Sequence, residues 1–124
     1  MQRTDAPLQH QNFLIGCRNG ARRNLVSFRA EHNLQSIFEY IAQDSEIYAF
    51  RFVKRLVLAT EEHLPDNRLA GRLVPEFTGT PLGFLREFIF KGYRVIYDPE
   101  GSGPIVIVAV LNGRMRIEKQ FELE

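Results

Sequence analysis

The sequence contains a single cysteine, Cys17, and no tryptophan. One cysteine cannot form an internal disulfide and cannot build a cysteine-rich zinc site. The three histidines are scattered without the spacing of metal ligands, so we expect neither a metal nor another cofactor. The formal net charge is only +1, from 16 basic and 15 acidic residues, which gives no overall attraction to nucleic acids or membranes. A nucleic-acid site would therefore require a local cluster of arginines.

Long apolar runs are also missing. No stretch approaches the ~20 apolar residues of a membrane span, and the N-terminus lacks the continuous apolar segment of a secretory signal. We therefore expect a cytoplasmic protein without membrane contact. The 124 residues, of which 44% are hydrophobic, suit one domain with one core. Residues 1–22 show no clean periodicity and are predicted to be an N-terminal extension, with the folded domain at 23–124.

Helical periodicity dominates the first half of the domain. A short strand is predicted at 23–28, followed by a helix at 29–44 whose apolar side chains recur at helical spacing. A second helix is predicted at 46–64, with Ser45 as its N-cap and Pro65 after its end. So short a connection between two amphipathic helices predicts an antiparallel helical hairpin.

The second half changes to the patterns of β-strands. Strands are predicted at 72–77, 84–90, 93–98 and 105–111. Pro75 limits the first of these to a sheet edge, whereas the apolar run "IVIVAVL" is typical of a central strand that is covered on both faces. Links of hairpin length imply antiparallel pairing. The pattern predicts an α+β fold with the helical hairpin on one sheet face. The other face is expected to be partly open, and arginines on it would form a binding surface.

The chain resembles the RelE/ParE superfamily of toxins from bacterial type II toxin–antitoxin modules, also called plasmid-stabilisation proteins. The resemblance covers roughly residues 24–116 and rests on "NLQSIFEYIA", "AFRFVKRL", "GRLVPEF", "LREFIFKGYRVIY" and "IVIVAVLNGRMR". It implies a β-α-α-β-β-β order, with the helical hairpin on a small, mostly antiparallel sheet. It also implies a cognate antitoxin as partner, whose C-terminal segment fills the groove between the helices and the sheet.

The superfamily has two activities, and the residues favour one of them. RelE-like members cleave messenger RNA on the ribosome, and ParE-like members inhibit DNA gyrase. Cleavage by a 2′-hydroxyl needs a base, an acid and cations, and arginine supplies only the cations well. No histidine follows His63 and no tyrosine follows Tyr97, and "LREFIF" stands where the ribonucleases carry lysines. These departures favour a gyrase inhibitor without catalytic activity of its own.

Two alternatives stay open from the sequence. One is a ribosome-dependent mRNA endoribonuclease of the RelE type, using Arg94, Arg114 and Arg116 with Tyr93 or Tyr97 as substitutes for the missing proton-transfer groups. The other is an inactive remnant that is retained only as a binding module. A small neighbouring reading frame with a DNA-binding N-terminus would support either toxin over the remnant.

Five arginines are the candidate partner-binding residues: Arg72, Arg86, Arg94, Arg114 and Arg116. Arg94 matches the arginine of the family's YR-x-x-Y strand, and Arg114 and Arg116 match the basic residues after the last strand. For Arg94, an ion pair with Glu76 or Glu87 is as well supported as a role in binding.

Two further groups of side chains are expected to be structural or solvated. The basic residues of the second helix, Arg51, Lys54 and Arg55, are interpreted as a solvated face. Seven phenylalanines are expected mostly in the core or between helices and sheet: Phe28, Phe38, Phe50, Phe52, Phe84, Phe88 and Phe90.

Overall fold

The computed structural model describes residues 25–117. The predicted extension at 1–22 and most of the tail lie outside the described residues. The elements are β1 (Leu25–Val26), α1 (Phe28–Ala42), α2 (Glu46–His63), β2 (Arg72–Leu73), a 3-10 helix (Pro75–Phe77), β3 (Arg86–Phe90), β4 (Tyr93–Asp98) and β5 (Val106–Asn112).

Both helices begin at a serine that caps them. The Ser27 Oγ accepts a hydrogen bond from the Ala30 N–H at 3.0 Å, and the Ser45 Oγ accepts one from the Tyr48 N–H at 3.1 Å. Each cap satisfies a backbone donor that has no partner within the helix. The predicted N-cap at Ser45 is therefore confirmed, and the two helices form the expected hairpin.

The described strands form a five-stranded sheet in the order β1-β5-β4-β3-β2. β1 runs parallel to β5, and the other neighbouring strands are antiparallel. This arrangement confirms the predicted α+β fold and its β-α-α-β-β-β order. A register shift at Ile96 and Tyr97 places Val108 as the extra residue of β5.

The predicted strand at 72–77 is wrong beyond Leu73. Proline has no N–H to donate to a ladder, so the chain leaves the sheet and forms the 3-10 helix that starts at Pro75. Its Phe77 is fully buried. The residues that were expected to extend the edge strand instead form a short helix, which buries Phe77.

One core lies between the helical hairpin and the sheet. The stripes predicted on the two helices supply most of its helical side. Val95 of β4 supplies the sheet side together with Ile107 and Val110 of β5, which lie on either side of the register shift. Its buried members are Ala30, Leu34, Ile37, Phe52, Val53, Leu56, Val57, Val95, Ile107 and Val110. The Phe52 ring packs on Phe90 and Tyr93, with centroids 5.7 and 5.6 Å apart.

A second core covers the opposite sheet face, which we expected to be partly open. It is formed by Val74, Phe77, Leu85, Ile96, Ala109, Leu111 and Ile117. The segment from Val74 to Leu85 folds over β4 and β5, so β5 is covered on both faces as predicted. The expectation of an open, arginine-bearing surface over these strands is therefore corrected.

Three of the phenylalanines that were expected in the interior lie at the surface. Phe28, Phe50 and Phe84 are 66%, 47% and 41% exposed. Phe28 is the first residue of α1, Phe50 faces away from the sheet on α2, and Phe84 precedes β3. The prediction that these three side chains are buried was therefore wrong. It rested on their aromatic character, whereas burial depends on the position of a residue on its helix or strand.

Candidate functional site

Arg94 lies in the middle of β4, on the face opposite the helices, and its side chain is only 10% exposed. Its Nε donates a hydrogen bond to Glu87 Oε1 at 2.6 Å. Its Nη1 and Nη2 donate to the two carboxylate oxygens of Glu76 at 3.0 and 2.7 Å. The ion-pair interpretation of Arg94 is thus confirmed, and both predicted carboxylates bind it at once.

Glu87 continues this network to a second arginine. Its side chain is fully buried, and its Oε2 accepts from the Arg72 Nε at 2.6 Å. Arg72 lies directly across from Glu87 in the β2–β3 ladder, and its side chain is 63% exposed. A buried carboxylate is tolerated only when it is paired. We call Arg72, Glu76, Glu87 and Arg94 the Arg94 cluster; it carries two charges of each sign.

Hydrogen bonds within the Arg94 cluster stabilise the charged forms of Glu76 and Arg94. The hydrogen bonds from Arg94 lower the pKa of Glu76, although partial burial opposes this. The hydrogen bonds to Glu76, and then to Glu87, raise the pKa of Arg94 above its already high value. An arginine in this state holds its proton and does not act as an acid or a base. Its donors also point at carboxylates, so they are not free to bind a phosphate.

Arg86 fixes the loop before β2 and does not join the Arg94 cluster. Its Nη1 donates to the Gly71 carbonyl at 2.7 Å. The Gly71 N–H in turn donates to the Tyr97 hydroxyl at 2.9 Å, and that hydroxyl donates to the Arg68 carbonyl at 2.9 Å. A Cβ at Gly71 would lie 2.3 Å from the Glu87 carbonyl oxygen, so only glycine fits. The sequence analysis did not identify this contact between Arg86 and the loop.

Neither tyrosine of β4 replaces the missing proton-transfer groups. Tyr97 is fully buried, its hydroxyl is hydrogen-bonded on both sides, and burial raises its pKa. Tyr93 packs against the helix-side core, on the opposite face of β4 from Arg94. Burial, and to a smaller extent Tyr40, raises the pKa of Tyr93. Both phenols therefore stay protonated at neutral pH.

A groove lies where α1 crosses the last strand, and we call it the α1–β5 groove. β1 ends at Val26, so the outer edge of β5 beyond Ile107 has no strand beside it among the described residues. Ser27 donates to the Val108 carbonyl at 2.8 Å, and the Asn33 Oδ1 accepts from the Val110 N–H at 3.0 Å. The open space is about 420 Å³, and its lining includes Asn33, Ile37, Tyr40, Tyr93, Val110 and Met115.

The remaining two candidate arginines are the sequence neighbours of a residue that lines this groove. Arg114 and Arg116 follow β5 and are exposed, on either side of Met115, which lines the groove and is 52% exposed. The five arginines thus fall into three places. Arg72 and Arg94 lie in the Arg94 cluster, Arg86 lies at the loop before β2, and the last two lie on either side of Met115 after β5.

Two kinds of site are not found in the described part of the chain. Among residues 25–117, no group of three or more His, Cys, Asp or Glu side chains is arranged to hold a metal ion. Within the same residues, no helix has the length and apolar character needed to cross a membrane.

Comparison with known proteins places this fold. A solved structure described as "Chromosomal ParDE TA system from P. aeruginosa" is similar, with a TM-score of 0.52 and 17% sequence identity. The match covers 75% of this chain and 98% of that chain, and at such identity it concerns the fold alone. No curated protein matches the sequence. The family model described as "ParE toxin of type II toxin-antitoxin system, parDE" matches residues 25–117. That match covers well over half of the 124 residues and confirms the resemblance seen in the sequence, so the chain belongs to the ParE toxin family of type II toxin–antitoxin systems.

Proposed function

We propose that this ParE family toxin inhibits DNA gyrase and is neutralised by a cognate antitoxin. Membership of the ParE toxin family supports the toxin role and favours gyrase as the target. The ribosome-dependent ribonuclease remains the alternative, and the state of Arg94 argues against it.

The observation that carries the proposal is the sequestration of Arg94. Phosphoryl transfer from a 2′-hydroxyl needs free cations at the phosphate and two groups that exchange protons. All three guanidinium nitrogens of Arg94 donate to Glu76 or Glu87, and a second core covers the sheet around them. The two tyrosines of β4 hold their protons, and no histidine follows His63. The ribonuclease alternative therefore lacks support from Arg94 as a free cation and from Tyr93 or Tyr97 as a base or an acid.

The α1–β5 groove is the proposed seat of the antitoxin segment. Its apolar lining includes Ile37 and Met115, and the ring of Tyr40 is 70% exposed at its side. Arg114 and Arg116 are the proposed contacts for acidic side chains of that segment, because they are exposed beside Met115. Arg72 is a third proposed contact because most of its side chain is exposed. Arg86 and Arg94 hold the fold around these positions.

The target is tested in two assays. Pulse labelling after induction in a susceptible bacterium should show that DNA synthesis stops before protein synthesis. Purified toxin should also block supercoiling by purified gyrase and leave the relaxing activity of a type I topoisomerase unchanged. Early arrest of protein synthesis with cleaved transcripts, and unaffected supercoiling, would contradict the proposal and support the ribonuclease.

A further inference from the structure

A small cleft lies between α2 and the turn that joins β3 to β4. Its volume is about 110 Å³, and it is lined by Tyr48, Arg51, Phe52, Arg55 and Lys91. Three of these five side chains are cationic, and no acidic side chain is among the described residues that line it. We call it the basic cleft. It is separate from the Arg94 cluster and from the α1–β5 groove, which have other linings.

Among the described residues, the cations of the basic cleft have no carboxylate partner, unlike those of the Arg94 cluster. Within residues 25–117, none of Arg51, Arg55 and Lys91 forms a salt bridge. Arg51 and Arg55 are four residues apart on α2, so they share one face of the helix. Like charges at this spacing repel and weaken a helix. Two positive charges are thus kept adjacent without a carboxylate between them.

Lys91 is placed against local backbone preference. It has a φ of 46°, and among the described residues it is the only one other than glycine with a positive φ. With Gly92 at a φ of 87°, it forms a two-residue hairpin turn between Phe90 and Tyr93. Asparagine or glycine suits the first position of such a turn, and lysine does not. The Lys91 ammonium lies 5.8 Å from the centroid of the Phe90 ring. Departures from a local rule of this kind are expected at functional or strained positions.

An aromatic side chain of the cleft indicates which anion fits. Tyr48 lines the cleft and is 54% exposed, whereas Phe52, the other aromatic residue of the lining, is buried. An exposed ring beside several cations is typical of surfaces that bind single-stranded nucleic acid, where phosphates meet the cations and a base stacks on the ring. One carboxylate would need only one of the three cations. A phosphodiester chain presents successive charges, and these match the spread of three.

We propose that the basic cleft binds the phosphate backbone of single-stranded nucleic acid. Arg51, Arg55 and Lys91 contact successive phosphates, and Tyr48 offers its ring to a neighbouring base. The proposal does not depend on gyrase as the target, because it concerns direct binding by the isolated toxin. A contact with nucleic acid would add to whatever surface the toxin uses on its protein target.

The test is binding of a fluorescein-labelled single-stranded DNA 12-mer to the full-length toxin, followed by anisotropy at low salt. The double variant Arg51→Gln/Arg55→Gln should weaken binding about tenfold or more. The slope of log affinity against log salt should become shallower by roughly 0.7 for each phosphate that the variant no longer neutralises. Lys54→Gln is the control for a general loss of positive charge from the same helix, outside the cleft lining; the Lys54 ammonium lies 5.9 Å from the Phe50 ring centroid. It should change affinity less than twofold.

Lys91→Asn separates binding from folding. Asparagine accepts the positive φ of this turn better than lysine, so this variant should melt at the same or a higher temperature while it binds the 12-mer several-fold more weakly.

Three outcomes would overturn the proposal. These are no measurable binding of the 12-mer at low salt, equal loss of binding in Lys54→Gln, and competition by a glutamate peptide as strong as competition by unlabelled 12-mer of equal charge.

Discussion

Glu87 Oε1 accepts a hydrogen bond from Arg94 Nε at 2.6 Å, between one side chain that is fully buried and another that is 10% exposed. The pair joins β3 to β4 on the sheet face away from the helices. Because Glu76 also binds Arg94, the pair fastens the 3-10 helix to the sheet as well. This arrangement makes an arginine of the family motif part of the scaffold.

Arg94→Met should destabilise the protein strongly. It leaves the buried carboxylate of Glu87 with Arg72 alone, and the loss of one partner from a buried pair costs ~3 kcal/mol or more. Chemical denaturation measures the change. Arg114→Met, at an exposed position, is the control and should change stability by less than ~0.5 kcal/mol. An equally stable Arg94→Met variant would show that the cluster is not structural.

The double variant Glu87→Met/Arg94→Met should recover much of that loss. Replacing a buried ion pair by apolar side chains of similar volume is often close to neutral, since neither charge remains to be solvated. Denaturation of the single and double variants gives the coupling energy between the two residues. A double variant that is less stable than the sum of the two single changes would contradict an ion pair as the main interaction.

Stability should depend on pH through Glu76. Its pKa is lowered in the folded protein, mainly by the hydrogen bonds from Arg94, so the unfolded chain binds more protons in the acidic range. The stabilisation is therefore complete above the ordinary pKa of 4.5 and is lost as the pH falls toward the lowered pKa. Denaturation at a series of pH values should show this loss, and Glu76→Gln should reduce it. Glu62→Gln, at an exposed position, controls for the removal of one negative charge.

Gly71→Ala should destabilise the loop before β2. The new Cβ would lie 2.3 Å from the Glu87 carbonyl oxygen and 2.8 Å from the Tyr97 hydroxyl, so the backbone must shift, at a cost of ~1–3 kcal/mol. Gly103→Ala is the matched control, since nothing lies within 4 Å of its added Cβ. Thermal melting of both variants should show a loss only for Gly71→Ala, and equal melting temperatures would refute the close approach.

Tyr40→Ala should weaken binding of the antitoxin while the fold is kept. The ring is 70% exposed and lines the α1–β5 groove, so its removal costs little within the toxin. Exposed aromatic side chains at the centre of an interface each contribute ~2 kcal/mol or more to binding, which corresponds to a loss of about thirtyfold. Co-purification and calorimetry with the protein of the neighbouring reading frame would measure it. Tyr48→Ala, on α2 outside the groove, is the control and should bind normally.

The helices were predictable because their information is local. Serine caps, apolar stripes and the proline after α2 lie within a few residues of the structure they determine. The role of Arg94 could be predicted only in part. The sequence offered Glu76 and Glu87 as partners, but a choice between an ion pair and a binding role needed the burial that the segment from Val74 to Leu85 creates.

Contacts between distant residues were not predictable at all. The hydrogen bond from the Val110 N–H to Asn33 joins residues 77 positions apart, and asparagine within a helix carries no signal for it. A link of hairpin length was predicted between β3 and β4, but the positive φ of Lys91 within it is visible only in the folded backbone. Single-sequence patterns report on neighbours along the chain, and the sites depend on neighbours in space.

The pairing of β1 with β5 limits the order in which the parts of the protein can fold during synthesis. Leu25 pairs with Val106 and Val26 with Ile107, so the first and last strands of the sheet meet only after both helices and three strands lie between them. Closing so long a loop has a large entropic cost before any contact compensates for it. During translation the helical hairpin can form early, but this edge of the sheet cannot close until Ile107 has been synthesised. The α1–β5 groove borders that edge and is therefore incomplete until Met115, the last residue of its lining, has been synthesised.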